Sequence, residues 1–168
     1  YLIDTNLRYG ADYQTVVAER YLDWSREGSM AAHIEMCNGN GFCRKLDGGT
    51  MCPSYQVTRQ EKDCTRGRAN ALRGVISGDL PAAKFTSHDL YNVLDLCLEC
   101  KGCKGECPSN VDMAKLKYEF LAQYYDAHGT PRRAKFFGNV ARTSRLGSRF
   151  APVSNWLANS VPARWLNQ

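Results

Sequence analysis

Residues 95–112, DLCLECKGCKGECPSNVD, place Cys97, Cys100, Cys103 and Cys107 in one short run, with Pro108 directly after the last. The spacing C-x2-C-x2-C-x3-C-P is an iron–sulfur ligand run in which three thiolates serve one cluster and the fourth serves another. Three thiolates at three-residue intervals wrap three corners of one cubane from a single loop, so the fourth corner must come from elsewhere. On this reading Cys107 is carried away on the next helix, and Pro108 fixes the turn without needing an N–H partner. Gly102 and Gly105 are expected to let the backbone curl around the cluster and aim N–H groups at sulfur.

A second group of thiols should then exist. Cys52-Pro53 is the matching remote Cys-Pro, expected to complete the cluster held by Cys97, Cys100 and Cys103. Cys107 should complete a cluster at CNGNGFC, residues 37–43. There the pattern departs, because the middle position is Asn40, leaving Cys37, Cys43 and Cys107. Either Cys64 swings in as a fourth ligand, or the site is a three-iron cluster or takes a non-cysteine ligand, with Cys64 spare. Eight cysteines divide into two groups of four, which favours Cys64.

Structural zinc prefers two separated C-x2-C pairs. Disulfides between residues three apart are geometrically awkward. A zinc-holding interaction module is nonetheless the alternative to the iron–sulfur reading. No nucleophile–base pair or carboxylate dyad stands out, so no catalytic residue is expected. Gly39 and Gly41 form a G-x-G, but no strand precedes it, which argues against a nucleotide site.

The 168 residues suffice for one domain with a core. No run reaches the roughly 18 apolar residues of a membrane span. The start, YLIDTNLRYG, lacks both a signal peptide's character and an initiating Met, and reads as part of something longer. A cytoplasmic setting, at most at the inner membrane surface, is the expectation. Charge is uneven: from Gly129 to Gln168 there are seven basic residues and no acidic one, leaving −2 for the rest of a chain of net +5. Such a tail is usually a solvated helical face; it also suits an acidic protein or a peripheral membrane contact. Nucleic acid is not an expected partner.

Apolar periodicity is helical throughout. Asp12 is placed as the cap of a helix carrying Val16, Val17, Tyr21 and Trp24, and Ser29 as the cap of MAAHIEM. Residues 37–64 read as irregular loop. Thr65 is placed as the cap of RGRANALRGVIS, ending at Gly78, and Ser87 starts HDLYNVLDLCLE. Caps at 109–112 precede MAKLKYEFLAQYYDAH, stopped by Gly129. Pro131 opens a basic helix, PRRAKFFGNVARTSRL, and a last one covers 152–159 before Pro162. This predicts a helical domain around the cysteines at 29–128, with 1–28 and 129–168 as connectors.

His33 reads as an ordinary polar helix residue, and His88 and His128 as helix-end residues rather than ligands. Arg66 and Arg68 are expected to pair with Glu61–Asp63 or to offset cluster charge. Lys101 and Lys104, inside the ligand loop, can offset that charge too.

The stretches DTNLRYG, EMCNGNGFCRK, GTMCPSYQVTRQEKDCTRGRANALR and LDLCLECKGCKGECPSNVDMAKLKYEFLAQYY together resemble one family. It is the FAD-linked oxidases and dehydrogenases with a fused iron–sulfur region, akin to D-lactate and D-2-hydroxyglutarate dehydrogenases and more distantly to glycolate oxidase iron–sulfur subunits. The resemblance implies an all-α, helical-ferredoxin fold with two cluster-binding loops over about residues 29–128. It implies a flavin domain with FAD upstream of Tyr1 and a Cys-rich domain downstream. In that family position 64 is often Ser or Thr, which weighs against Cys64 as a general ligand. The expected role is an iron–sulfur module relaying single electrons from 2-hydroxy acid oxidation at the flavin to an acceptor protein or quinone.

Overall fold

The computed structural model describes residues 13–16 and 20–160, and among them there is no strand. Two units are separated between His128 and Gly129.

The first unit is built on helices α1 (Met30–Glu35), α2 (Pro53–Thr58), α3 (Thr65–Ile76), α4 (His88–Asp95), α5 (Gly102–Glu106) and α6 (Met113–His128). α3 is central, touching α1, α4 and α6. Its predicted apolar face, Ala69, Leu72, Val75 and Ile76, is buried against Trp24, Ile34, Leu94, Leu116 and Phe120. Phe85 meets Phe120 edge to face at 5.8 Å, an arrangement aromatic rings favour.

Local polar chemistry sets the helix ends. Ser29 Oγ accepts from Ala32 N–H at 2.9 Å, and Ser87 Oγ from Leu90 N–H at 3.3 Å, as predicted. Asp112 Oδ1 accepts from Lys115 N–H at the head of α6. At its far end Gly129 adopts φ +83°, where glycine is unstrained.

Several expectations need correction. The helix over 12–24 is not seen in its described part: 13–16 are irregular and 21–28 run in bends and turns. The amides there are used elsewhere. Val16 N–H bonds the Ile76 carbonyl at 3.0 Å. The buried Glu119 carboxylate accepts from Arg20, Tyr21 and Leu22 N–H at 2.8–3.3 Å. Asp12 and Val17 lie outside the described residues. The loop over 37–64 contains α2, started by Pro53 at its first position, and two single 3₁₀ turns.

The second unit holds α7 (Arg132–Gly138), α8 (Val140–Arg149) and α9 (Ala151–Ala158). The single basic helix expected from Pro131 is two, broken at Asn139, whose N–H closes back on Lys135 and Phe136 carbonyls. Arg164 and Pro162 lie outside the described residues.

Candidate iron–sulfur centres

The start of α3 organises the cysteines. Its first three amides each face a sulfur from a different place in the chain. Thr65 N–H reaches Cys52 Sγ at 3.1 Å, Arg66 N–H reaches Cys43 Sγ at 3.3 Å, and Gly67 N–H reaches Cys64 Sγ at 3.3 Å. These are orphan donors of a helix N-terminus, where partial positive charge favours a thiolate. Cys64, not Thr65, is therefore the helix cap. Thr65 instead turns its hydroxyl to Cys52 Sγ at 2.9 Å. Gly67 is required here, because a Cβ at that position would lie 1.9 Å from the Glu61 carbonyl oxygen.

Cys43 also bonds through its thiol to Cys52 and Cys64. As the donor of that pair its own acidity is suppressed. The Cys43 bond, helped by Thr65, pulls Cys52 down to about 6, and Cys43 with Gly67 N–H lowers Cys64. Burial pushes Cys97 up and Cys103 up to about 11. Hydrogen bonds at the start of α3 thus favour the ionised forms of Cys52 and Cys64, while burial disfavours ionisation of Cys97 and Cys103, which a bound metal would restore.

Cys52 also lines a cleft with Cys97, Cys100 and Cys103, together with Thr65, Arg68 and Met113. The head of α6 contributes Met113 N–H to Cys103 Sγ at 3.4 Å. The loop 97–103 curls through left-handed φ at Glu99 (55°) and Lys101 (58°), not at Gly102 as the sequence suggested. Gly102 serves close approach instead, its missing Cβ leaving room for Thr50. Gly105 has open space around it, and the amides that reach sulfur come from α3 and α6. Lys117, a buried cation that sequence reasoning passed over, holds this loop. Its Nζ donates to the carbonyls of Cys97 (2.7 Å) and Asp95 (3.1 Å) and pairs with Glu99 at 3.1 Å.

Cys37 is buried at the end of α1, its carbonyl held by Arg73 Nη2 at 3.0 Å. Cys107 caps the end of α5 rather than riding on the next helix, because its N–H closes the α5 turn on Cys103. Glu106 ties that end to Lys45, Thr50 and Met51, which follow Cys43 in the chain. Lys45 and the Thr50 donors hold the Glu106 carboxyl down at about 2.

Among the remaining predicted residues, Arg66 makes a two-pronged pair with Glu61, and Arg68 lies 3.8 Å from Asp63. Lys101 and Lys104 face Asp112 at 4.0 and 3.4 Å. His33 is buried rather than an ordinary surface polar: its Nε2 accepts from Asp112 N–H at 2.8 Å, supporting the head of α6. His88 and His128 sit at helix ends, bonded to Asn92 and to the Thr86 carbonyl.

Among the described residues no three Cys, His, Asp or Glu side chains converge to hold a single metal ion. Sulfurs spread around a cleft suit a cluster, whose own bulk separates its ligands, better than one tetrahedral ion. Residues 33–111 match the family profile described as a 4Fe-4S dicluster domain. Over this segment the chain resembles an iron–sulfur dicluster domain. The match covers all eight cysteines but no part of the basic second unit.

The chain around the dicluster domain is similar to D-2-hydroxyglutarate dehydrogenases. It is 29% identical to that of Pseudomonas putida and 25% to that of Escherichia coli, over 79% of this chain and 16% of each relative. It is 32% identical to the glycolate oxidase iron–sulfur subunit of Escherichia coli, over 58% of this chain and 22% of that subunit. The chain thus spans about a sixth of the length of the dehydrogenases it matches. No solved structure matches. The profile match and the relatives support an iron–sulfur electron-transfer module, and neither they nor the geometry support zinc. No helix among the described residues is long and apolar enough to cross a membrane.

Proposed function

We propose that this chain relays electrons one at a time from a flavin that oxidises a 2-hydroxy acid to a separate acceptor. Bound iron–sulfur clusters supply the one-electron steps that a two-electron flavin oxidation must be divided into. Cys52, Cys97, Cys100 and Cys103 would hold one cluster. Cys37, Cys43 and Cys107 would hold the other with Cys64 as fourth ligand, which the Gly67 amide favours by facing the Cys64 sulfur. The flavin, with FAD, would belong to a domain or subunit outside this chain, as the relatives' names suggest.

The observation that carries this reading is the shared cleft. Cys52, forty-five residues ahead of Cys97, lies with the 97–103 run on one surface while the Thr65 amide of α3 holds its sulfur. Anaerobic reconstitution followed by iron and sulfide assay and electron paramagnetic resonance tests it. Two cubanes give about eight iron and eight sulfide per chain. About seven iron assigns a three-iron second site, and a colourless, iron-free protein overturns the reading.

The proposal extends to the second unit. Arg142, Arg145 and Arg149 fall on one face of α8, and Val153, Trp156 and Leu157 on one face of α9, all exposed. A cationic ridge beside an apolar one fits the anionic surface of a membrane. Co-sedimentation with phosphatidylglycerol vesicles, absent with phosphatidylcholine alone, tests it.

A further inference from the structure

The eight cysteines differ sharply in how they meet solvent. Cys37, Cys43, Cys52, Cys64 and Cys103 are buried, and Cys97 and Cys107 are partly covered. Cys100 alone is exposed. The left-handed turns at Glu99 and Lys101 bracket it and carry it outward. Leu98 beside it is 68% exposed and Leu96 46%, large apolar side chains with nothing over them in this unit.

The charges around this apolar spot are sorted. Glu99 is drawn to Lys117, so its charge is answered within the fold. Lys101 and Lys104 remain half exposed, and among the described residues the one carboxylate that pairs with them is Asp112, which is buried. Two ammonium groups against one carboxylate leave one outward positive charge at the rim.

We infer that the 97–103 loop is the port through which electrons leave the module, and that its partner is an acceptor protein presenting an apolar patch with an acidic rim. This rests on the electron-relay reading and adds the exit and the partner's chemistry to it. An exposed thiolate ligand puts a cluster edge at the surface, and the buried cysteines do not. Leu96 and Leu98 supply the water-excluding contact of a small, transient interface. Lys101 and Lys104 supply the steering that makes such encounters fast. In the step itself one electron passes from the reduced module to the acceptor, which gains one negative charge, and no proton moves.

The reconstituted chain, reduced with dithionite and freed of excess reductant, is oxidised in a stopped-flow instrument by anionic ferricyanide or by cationic hexaammineruthenium(III). The double variant Lys101→Glu/Lys104→Glu should slow ferricyanide about ten-fold at low ionic strength and speed hexaammineruthenium, with both differences collapsing at high salt. Leu98→Glu, at a largely exposed side chain, should shift both rates in the same directions and guards against a folding defect in the double variant. The redox-inert paramagnetic anion hexacyanochromate(III) should broaden the amide resonances of residues 98–104, and lose that effect in the double variant. Iron content and the reduced resonance signal report separately on the relay reading. Full iron with both rates unchanged in both variants, or broadening centred on residues 37–45, overturns the port while leaving the relay standing.

Discussion

Lys117 Nζ lies 2.7 Å from the carbonyl oxygen of Cys97. A buried ammonium on α6 thereby fixes the backbone of the loop that brings Cys97, Cys100 and Cys103 to the cleft. Lys117→Met keeps the aliphatic stem and removes the charge. It leaves the Cys97 and Asp95 carbonyls and the Glu99 carboxylate without their donor. A loss of about 2 kcal/mol in unfolding free energy is expected, with iron released from the Cys97 side first. Urea unfolding and timed iron release to a chelator measure both, and a wild-type release rate would remove Lys117 from this role.

Substitutions at the thiols divide the two sites. Cys100→Ser should lower the iron content from about eight to about four per chain and loosen the 97–103 loop, since cluster binding is coupled to folding. Cys64→Ser should convert or empty the other site while leaving the Cys100 site intact. An unchanged spectrum and iron count in Cys64→Ser would strike Cys64 from the ligands.

Gly67→Ala tests the crowding at the start of α3. The added methyl collides with the Glu61 carbonyl oxygen, so the helix start must shift and carry three N–H···S contacts with it. Overpacking of this kind costs about 1–3 kcal/mol, and reconstitution yield should fall along with stability. Gly105→Ala, with open space around the position, is the control and should fold and load normally.

His33 confers a pH dependence of known sign. Burial lowers its folded pKa, and the neutral ring is what accepts from Asp112 N–H. Above the unfolded value of about 6.5 neither state takes up the proton, and the contribution is intact. As the pH falls from there toward the depressed folded value, the unfolded chain binds the proton more readily and stability declines. Denaturant midpoints between pH 7.5 and 5.5 should fall more for the wild type than for His33→Gln. Parallel declines would show that another group is responsible.

Much of this was legible in the residues. Ser29, Ser87 and Gly129 mark helix ends by short-range chemistry that a sequence displays directly. The 97–107 run identifies its chemistry because ligand spacing is itself local. What stayed hidden depends on long-range partners. Glu119 reads as an ordinary polar position in an amphipathic helix until the amides of Arg20–Leu22 meet it, and those contacts take the amides that a helix at 20–22 would use. His33 reads as an ordinary polar helix residue for the same reason, and nothing in the sequence singles out Lys117. The donors to sulfur were assigned to glycines in the ligand loop, whereas they come from the first turns of α3 and α6, which only tertiary packing brings alongside.

The start of α3 gives this segment a strict sense of length. Adjacent residues on a helix point about 100° apart, and here consecutive amides at 65, 66 and 67 address sulfurs from positions 52, 43 and 64. Inserting one residue at that junction would hand each amide to the wrong recipient all at once. Insertions and deletions should therefore be barred from the few residues around Cys64, even though they belong to a stretch of turns that would otherwise look like the most forgiving part of the chain.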